Sequence, residues 1–454
     1  MMKHVFIFIF FVCSIVRAQE FGMGLILDDS KFDTAPRSAS LMRGDYSNLP
    51  DSASLKQYTP TPGNQGPYGT CTGWSSAYAA RTIIEARNHR WQKGSVIDDN
   101  AFSPSFVYNQ IRFRKNCSEG ASLIDALNLL KEQGDVLLKD FAYDCQRDVS
   151  AGDIAAATRY RIIEYREIAG RRDTNKYRFV RKSIAEEKPV VIAFDCPPSF
   201  HRARDFWNPD KADYHEWGRG HAMTVIGYDN NKYGGAFEVI NSWGTAWGNE
   251  GYIWIRYSDF EYFCKLAFEI VGEFPADTLQ SDLSGYLSFR ESSGRKMRAR
   301  QDGGYFVMEN PYPAGTLFEL RISNNQPAYV YAFSSDMTNR VYRIFPSNDR
   351  VVPYLAYKQN NIAIPDEDSY CMLDTVRGTT YFCFLYSREA LDADSLIGLI
   401  EKTEGTFWQR LKTALGEKMV LQENTKLGYS DKIFFEARSR GRSVVPVLVE
   451  IKHF

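Results

Sequence analysis

Apolar positions recur every three to four residues through much of the first half of the chain and every second residue in the last third. Between Ala121 and Gln133, the residues Leu123, Ile124, Leu127 and Leu130 fall on one helical face, and Gly134 supplies a stop. Ala101 to Tyr108 offers Ser103 as a cap and Pro104 in the first turn. Lys176 to Glu187 puts Tyr177, Val180 and Ile184 on one stripe, which predicts another helix. The period then shortens. Pro189 to Phe194 reads as a buried strand, and the segments 222–228, 236–240 and 251–256 continue the series. A mostly helical stretch up to about Tyr143 is therefore followed by a β half.

The remainder differs again. Phe274 to Ser284 is polar and reads as a linker, and short alternating segments follow at 317–322, 328–333, 341–345 and 380–385. Asn, Asp, Pro and Gly separate them, which indicates an antiparallel β domain closed by a strand over 444–451. Asp392 to Leu415 interrupts it with helical periodicity. The polar linker and the length of each flank lead us to expect that the first part folds alone.

With 454 residues, 44% hydrophobic and 24% charged, the chain suits a globular protein of two or three domains. Lys and Arg number 55 against 56 Asp and Glu, so nothing calls for nucleic acid or an anionic membrane as partner. No metal-ligand constellation or cofactor motif stands out, and no cofactor is expected. Residues 1–18, with Lys3, His4, the apolar block Val5 to Val12 and the small-residue end at Ala18, read as a signal peptide. Cys13 follows Val12, a poor lipoprotein signal, so a soluble secreted or periplasmic product is expected. No other apolar run is long enough for a membrane span.

The chemistry gathers around Gln65-Gly66-Pro67-Tyr68-Gly69-Thr70-Cys71-Thr72-Gly73-Trp74. A loop rich in Gly and Pro gives way to a run without either, so a helix should begin near Cys71. Unpaired N–H groups at a helix start favour a thiolate, and the Gln65 amide can lie beside the sulfur. A thiolate with an amide donor suggests acyl transfer. Far downstream, His221 precedes an apolar strand and Asn241 follows another, at 150 and 170 residues beyond Cys71.

This set resembles a papain-like (C1 family) cysteine peptidase over residues 58–272. Four spaced elements carry the likeness: the Gln65-to-Cys71 spacing, Gly220-His221-Ala222, Asn241-Ser242-Trp243-Gly244, and Trp247 to Tyr252. The resemblance implies an α+β fold, with a catalytic domain of one helical and one β lobe and the substrate cleft between them. It makes Cys71 the nucleophile, His221 its base, Asn241 the residue that orients His221, and Gln65 an oxyanion donor. It also implies that Trp243 covers the His221–Asn241 bond.

Three further positions are implied to bind substrate. Gly120, in the turn Cys117-Ser118-Glu119-Gly120, should pair with the substrate main chain. Ala222 should line the pocket for the side chain two residues before the scissile bond, with Glu269, five positions after Cys264, at its base. Alternatively, Glu269 is the polar face of a strand running Leu266, Phe268, Ile270.

The chain also departs from the family, carrying Tyr68, Thr70 and Thr72 where Cys, Ser and Trp are usual, so one family disulfide cannot form. Seven cysteines lie beyond residue 18, and Cys71 accounts for the odd thiol. Cys117–Cys145 matches positions near family cysteines. Cys371 with Cys383 could bridge strands, and Cys196 with Cys264 is left by elimination.

Residues 19–57 are too short for the family's helical pro-region and are expected to wrap on the surface as a short extension. The linker is taken as 273–285, and 286–454 resembles an uncharacterised accessory β domain of bacterial peptidases whose partner is unknown. The expected function is an exported cysteine-type endopeptidase acting on peptides or proteins through a Cys71 thioester with His221 as general base and acid, with exopeptidase behaviour left open. The alternative is a catalytically silent binding or scaffold protein on the same fold.

Overall fold

The protein is described from a computed structural model, covering residues 21–92, 94–215, 218–272 and 282–454. The expected signal peptide and most of the linker lie outside the described residues. Among the described residues, no helix is long and apolar enough to cross a membrane.

The helical lobe is built as the periodicity predicts. Ser103 caps the helix Pro104–Ile111 by accepting from the Phe106 N–H, and Ser122 caps Leu123–Glu132 through the Asp125 N–H. Gly134 takes φ +94°, which only glycine adopts freely, and ends that helix. A continuous helical segment runs from Cys71 to Asn88, its middle part, Trp74–Arg81, wound in wide π turns.

The β lobe is an antiparallel sheet in the order Glu164–Ala169, Cys264–Val271, Val190–Cys196, Arg219–Asp229, Ala236–Ile240, Tyr252–Arg256. Ser52–Ser54 also pairs with Arg219–Asp229, so the β lobe recruits residues expected to belong to the extension. Both lobes contribute to one core, in which Ala77, Ala80 and Leu127 meet Val191, Ala193 and Phe268.

The C-terminal part is a sandwich of two mainly antiparallel sheets. It begins with Leu283–Glu291, so the ordered strand starts inside the expected linker. Leu287, Phe289 and Phe318 of one sheet pack against Phe384, Val447 and Val449 of the other. The helical stretch after Asp392 is two helices, Ala393–Lys402 and Phe407–Leu415. Gly405 at φ +111° separates them, and a Thr406–Gln409 capping box starts the second. Both cover the outer face carrying Phe333, Cys383 and Leu385.

Two sequence expectations are corrected here. The extension is not a surface wrap: Phe32 and Ala35 are buried in the catalytic core, and Ala39 and Leu41 in the sandwich core. Apolar residues at both places give one strap two burial sites, so it joins the domains. Of the disulfides, only Cys117–Cys145 is found among the described residues. Cys196, Cys264, Cys371 and Cys383 are free thiols. Cys371 belongs to one sheet of the sandwich and Cys383 to the other, facing the helices, while Cys264 lies in register with Phe194 rather than Cys196.

Candidate active site

Cys71 opens its helix as expected and is fully buried. The backbone N–H groups of Ala222, Gly24 and Thr72 face its sulfur, which sets the thiol against the residue next to His221. Burial nevertheless dominates and pushes the thiol up to about 11.

His221 sits on the strand Arg219–Asp229 with Nε2 2.8 Å from Asn241 Oδ1. That same oxygen accepts from the Ser242 backbone N–H at 2.7 Å, which fixes the orientation of the amide. An oxygen that only accepts requires Nε2 to carry the proton, so the neutral ring presents Nδ1 as a bare acceptor. Nδ1 is buried and has no protein hydrogen-bond partner. Burial holds the imidazole down at about 4, against the opposing Asn241 hydrogen bond. Trp243 stacks over His221 with ring centroids 4.7 Å apart, as its expected covering role requires.

Gln65 is completely buried and held at both ends of its amide. Ser242 Oγ donates to Oε1 at 2.5 Å, which leaves Nε2 to donate to the carbonyls of Tyr68 at 2.6 Å and Gly22 at 3.0 Å. Tyr143 adds a bond to the Gln65 backbone carbonyl and one to Thr70. Ser242 and Tyr143 were not singled out in the sequence; the position of Ser242 beside Asn241 was the available signal.

Gly120 stands at the cleft edge, where a Cβ would collide with the Gly24 carbonyl oxygen. Ala222 joins an apolar cluster with Leu25, Cys71, Ile124 and Leu266. Glu269 is not part of that cluster, which corrects its expected place in the pocket. Side chains alternate along Cys264–Val271, so Leu266, Phe268 and Ile270 face the lobe interface and Glu269 points the other way. There it pairs with Arg166 and accepts from the hydroxyls of Ser183 and Tyr357.

The comparisons agree with this architecture. Residues 51–273 match the family described as papain family cysteine protease. Mouse cathepsin K is 24% identical over 208 residues, 45% of this chain and 59% of cathepsin K. An uncharacterised peptidase C1-like protein of Acanthamoeba polyphaga mimivirus is 25% identical over 244 residues, 48% of this chain and 74% of that protein. The chain thus spans just under three fifths of cathepsin K. Among solved structures, xylellain, a cysteine protease from Xylella fastidiosa, gives a TM-score of 0.47 at 22% identity, covering 57% of this chain and 100% of xylellain. Residues 51–273 thus form a papain-like C1 cysteine peptidase domain.

Proposed function

We propose that the protein is an exported cysteine endopeptidase that hydrolyses peptide bonds through a thioester on Cys71. The observation that carries this reading is the His221–Asn241 bond, because it leaves Nδ1 unprotonated and free to take the Cys71 proton.

The thiolate attacks the peptide carbonyl carbon and the carbonyl electrons move to oxygen. The Gln65 Nε2–H and the Cys71 backbone N–H hold that oxyanion; one such donor is worth about 3 kcal/mol in the transition state. The protonated imidazole then gives its proton to the leaving amine, and the C–N bond breaks. Water attacks the thioester with His221 as base, releasing the acid and restoring the thiol. Export rests on the apolar segment Val5 to Val12.

The test is labelling of the purified protein by a thiol-directed epoxide, followed by mass mapping. The adduct is expected on Cys71, with Cys71→Ala abolishing peptide hydrolysis and His221→Ala nearly as severe, since the two act as one unit. Asn241→Ala should lose about 10- to 100-fold in kcat. Hydrolysis that survives Cys71→Ala would exclude the mechanism. A labelled Cys71 with no hydrolysis of any peptide would favour the silent scaffold.

A further inference from the structure

The outer face of the sandwich carries a hollow of about 400 Å³, within the range of about 300 to 1,000 Å³ usual for ligand sites. One short side chain creates it. Along Leu283–Glu291 the residues Leu287 and Phe289 enter the sandwich core, so Tyr286, Ser288 and Arg290 face outward. Ser288 is paired with Arg321 on one neighbouring strand. On the other side, the register that pairs Leu287 with Ile433 brings Lys432 beside Ser288. The serine is therefore the floor of a cross, with Arg321 and Lys432 on its flanks and Tyr286 and Arg290 along its own strand.

The carboxylates around this floor are already engaged. Asp45, on the strap, accepts the Asn361 backbone N–H at 2.8 Å on one oxygen and the Asn361 side-chain amide at 3.0 Å on the other. Glu319 pairs with Arg321 at 2.8 Å, and Asp431 with Lys296 at 3.0 Å. Two cations are left over. Arg290 donates to the Gly294 carbonyl, Lys432 lies 3.8 Å from the centre of the Tyr286 ring, and among the described residues neither is paired with a carboxylate. The Ser288 hydroxyl adds a donor between them. With the local carboxylates matched and positive charge in surplus, the ligand that satisfies this set is an anion with oxygen acceptors.

The aromatic residues decide what carries that anion. A sugar would need an open ring face to stack on, and the Tyr286 ring is covered by Lys432. The Phe434 ring lies against Gly428, where an added Cβ would collide with it, and Lys426 stands 5.8 Å from its centre. An extended peptide needs no such face. Its every second side chain repeats at about 7 Å, the separation between the level of Ser288, which Lys432 shares, and that of Arg290.

We propose that this hollow is an exosite for an acidic, extended segment of a protein substrate, whose carboxylates meet Lys432 and Arg290. The inference goes beyond hydrolysis at Cys71 and does not depend on its mechanism. Met42, Gly44 and Asp45 of the strap form one wall, and the same strap buries Phe32 and Ala35 in the catalytic core. A bound segment is therefore held on a wall tied to both domains.

The test uses the full chain carrying Cys71→Ala, so that no peptide is cut, and follows the anisotropy of a fluorescent oligoglutamate peptide with oligoglutamine as the neutral control. Oligoglutamate should bind at least about 10-fold tighter than oligoglutamine and weaken as salt rises from about 50 to about 300 mM. The double variant Arg290→Glu/Lys432→Glu reverses both unpaired charges at partly exposed positions and should lower affinity about 10-fold or more. Ser288→Glu, which puts a carboxylate on the floor, should act in the same direction. Equal binding of the two peptides would overturn the proposal, as would unchanged affinity in both variants when their thermal melts match the parent. Tighter binding of polygalacturonate than of oligoglutamate would overturn it in favour of an anionic glycan. Oligoglutamate binding alongside a wild-type Cys71 that hydrolyses no peptide would sink the peptidase reading and leave the exosite standing.

Discussion

Arg166 and Glu269 stand opposite each other on neighbouring strands and close a buried ion pair at 2.8 Å. The pair joins the two domains. Arg166 Nη1 donates to the Tyr354 carbonyl at 2.8 Å, and the Tyr357 hydroxyl donates to Glu269, so both charges are satisfied partly by the sandwich.

Removing one partner would leave an uncompensated buried charge, which typically costs about 3–5 kcal/mol. Glu269→Ala should lower stability by that order in urea unfolding and leave unchanged the relative cleavage of peptides carrying Arg or Leu two residues before the scissile bond. Burial alone would raise the Glu269 carboxyl, but Arg166 and Lys188 outweigh it and hold the group below its usual value of 4.5. A depressed carboxylate stabilises the fold above its unfolded pKa and ceases to do so as pH falls through the folded one. Wild type should therefore lose stability below about pH 4.5 more steeply than Glu269→Gln, as followed by thermal melts from pH 6 to 3.

The candidate residues Gln65, Cys71, His221 and Asn241 were legible as a set because each sits in a local motif at an element end that glycine, proline or periodicity marks. Glu269 was misread because a count from Cys264 takes no account of strand alternation, which Leu266, Phe268 and Ile270 already signalled. The placement of residues 21–25 beside Gln65 was missed for a different reason. Phe21-Gly22-Met23-Gly24-Leu25 is too short to show a period, and its meaning lies in contacts with Gln65, Gly69 and Ala121 that only the folded chain creates.

Ser242 and Gln65 separate positioning from direct stabilisation. On the proposed mechanism Gln65→Ala removes an oxyanion donor and should lower kcat by about 100-fold with KM little changed. Ser242→Ala removes only the hydroxyl that holds Gln65 Oε1, a bond worth about 1 kcal/mol, and should cost about fivefold. A Ser242→Ala loss as large as that of Gln65→Ala would mean that Ser242 acts on substrate itself.

A chain ended at residue 272 tests how far the domains depend on each other. It would lack the Tyr354 carbonyl for Arg166, the Tyr357 hydroxyl for Glu269, and the sandwich core that buries Ala39 and Leu41. Against the expectation from the polar linker, it should unfold without a sharp transition or remain insoluble. A cooperative melt within a few degrees of the full chain, by calorimetry, would show that the sandwich is dispensable.

The ionisation of Cys71 should report directly on residues 21–26, whose Gly24 N–H faces the sulfur. In the intact chain burial pushes the thiol up to about 11 and the His221 imidazole down to about 4, so both are neutral at pH 7. Because the thiolate is the reactive form, alkylation by iodoacetamide should rise about tenfold per pH unit from 7 to 10. Removing residues 21–26 admits water and relieves the burial that dominates both shifts. The thiol then falls, the imidazole rises, and a thiolate–imidazolium pair becomes accessible near neutrality. The rate profile of a chain lacking residues 21–26 should therefore flatten between pH 7 and 10, with its inflection moved well below that of the intact chain. Superimposable profiles for the shortened and intact chains would show that the segment does not control the desolvation of Cys71.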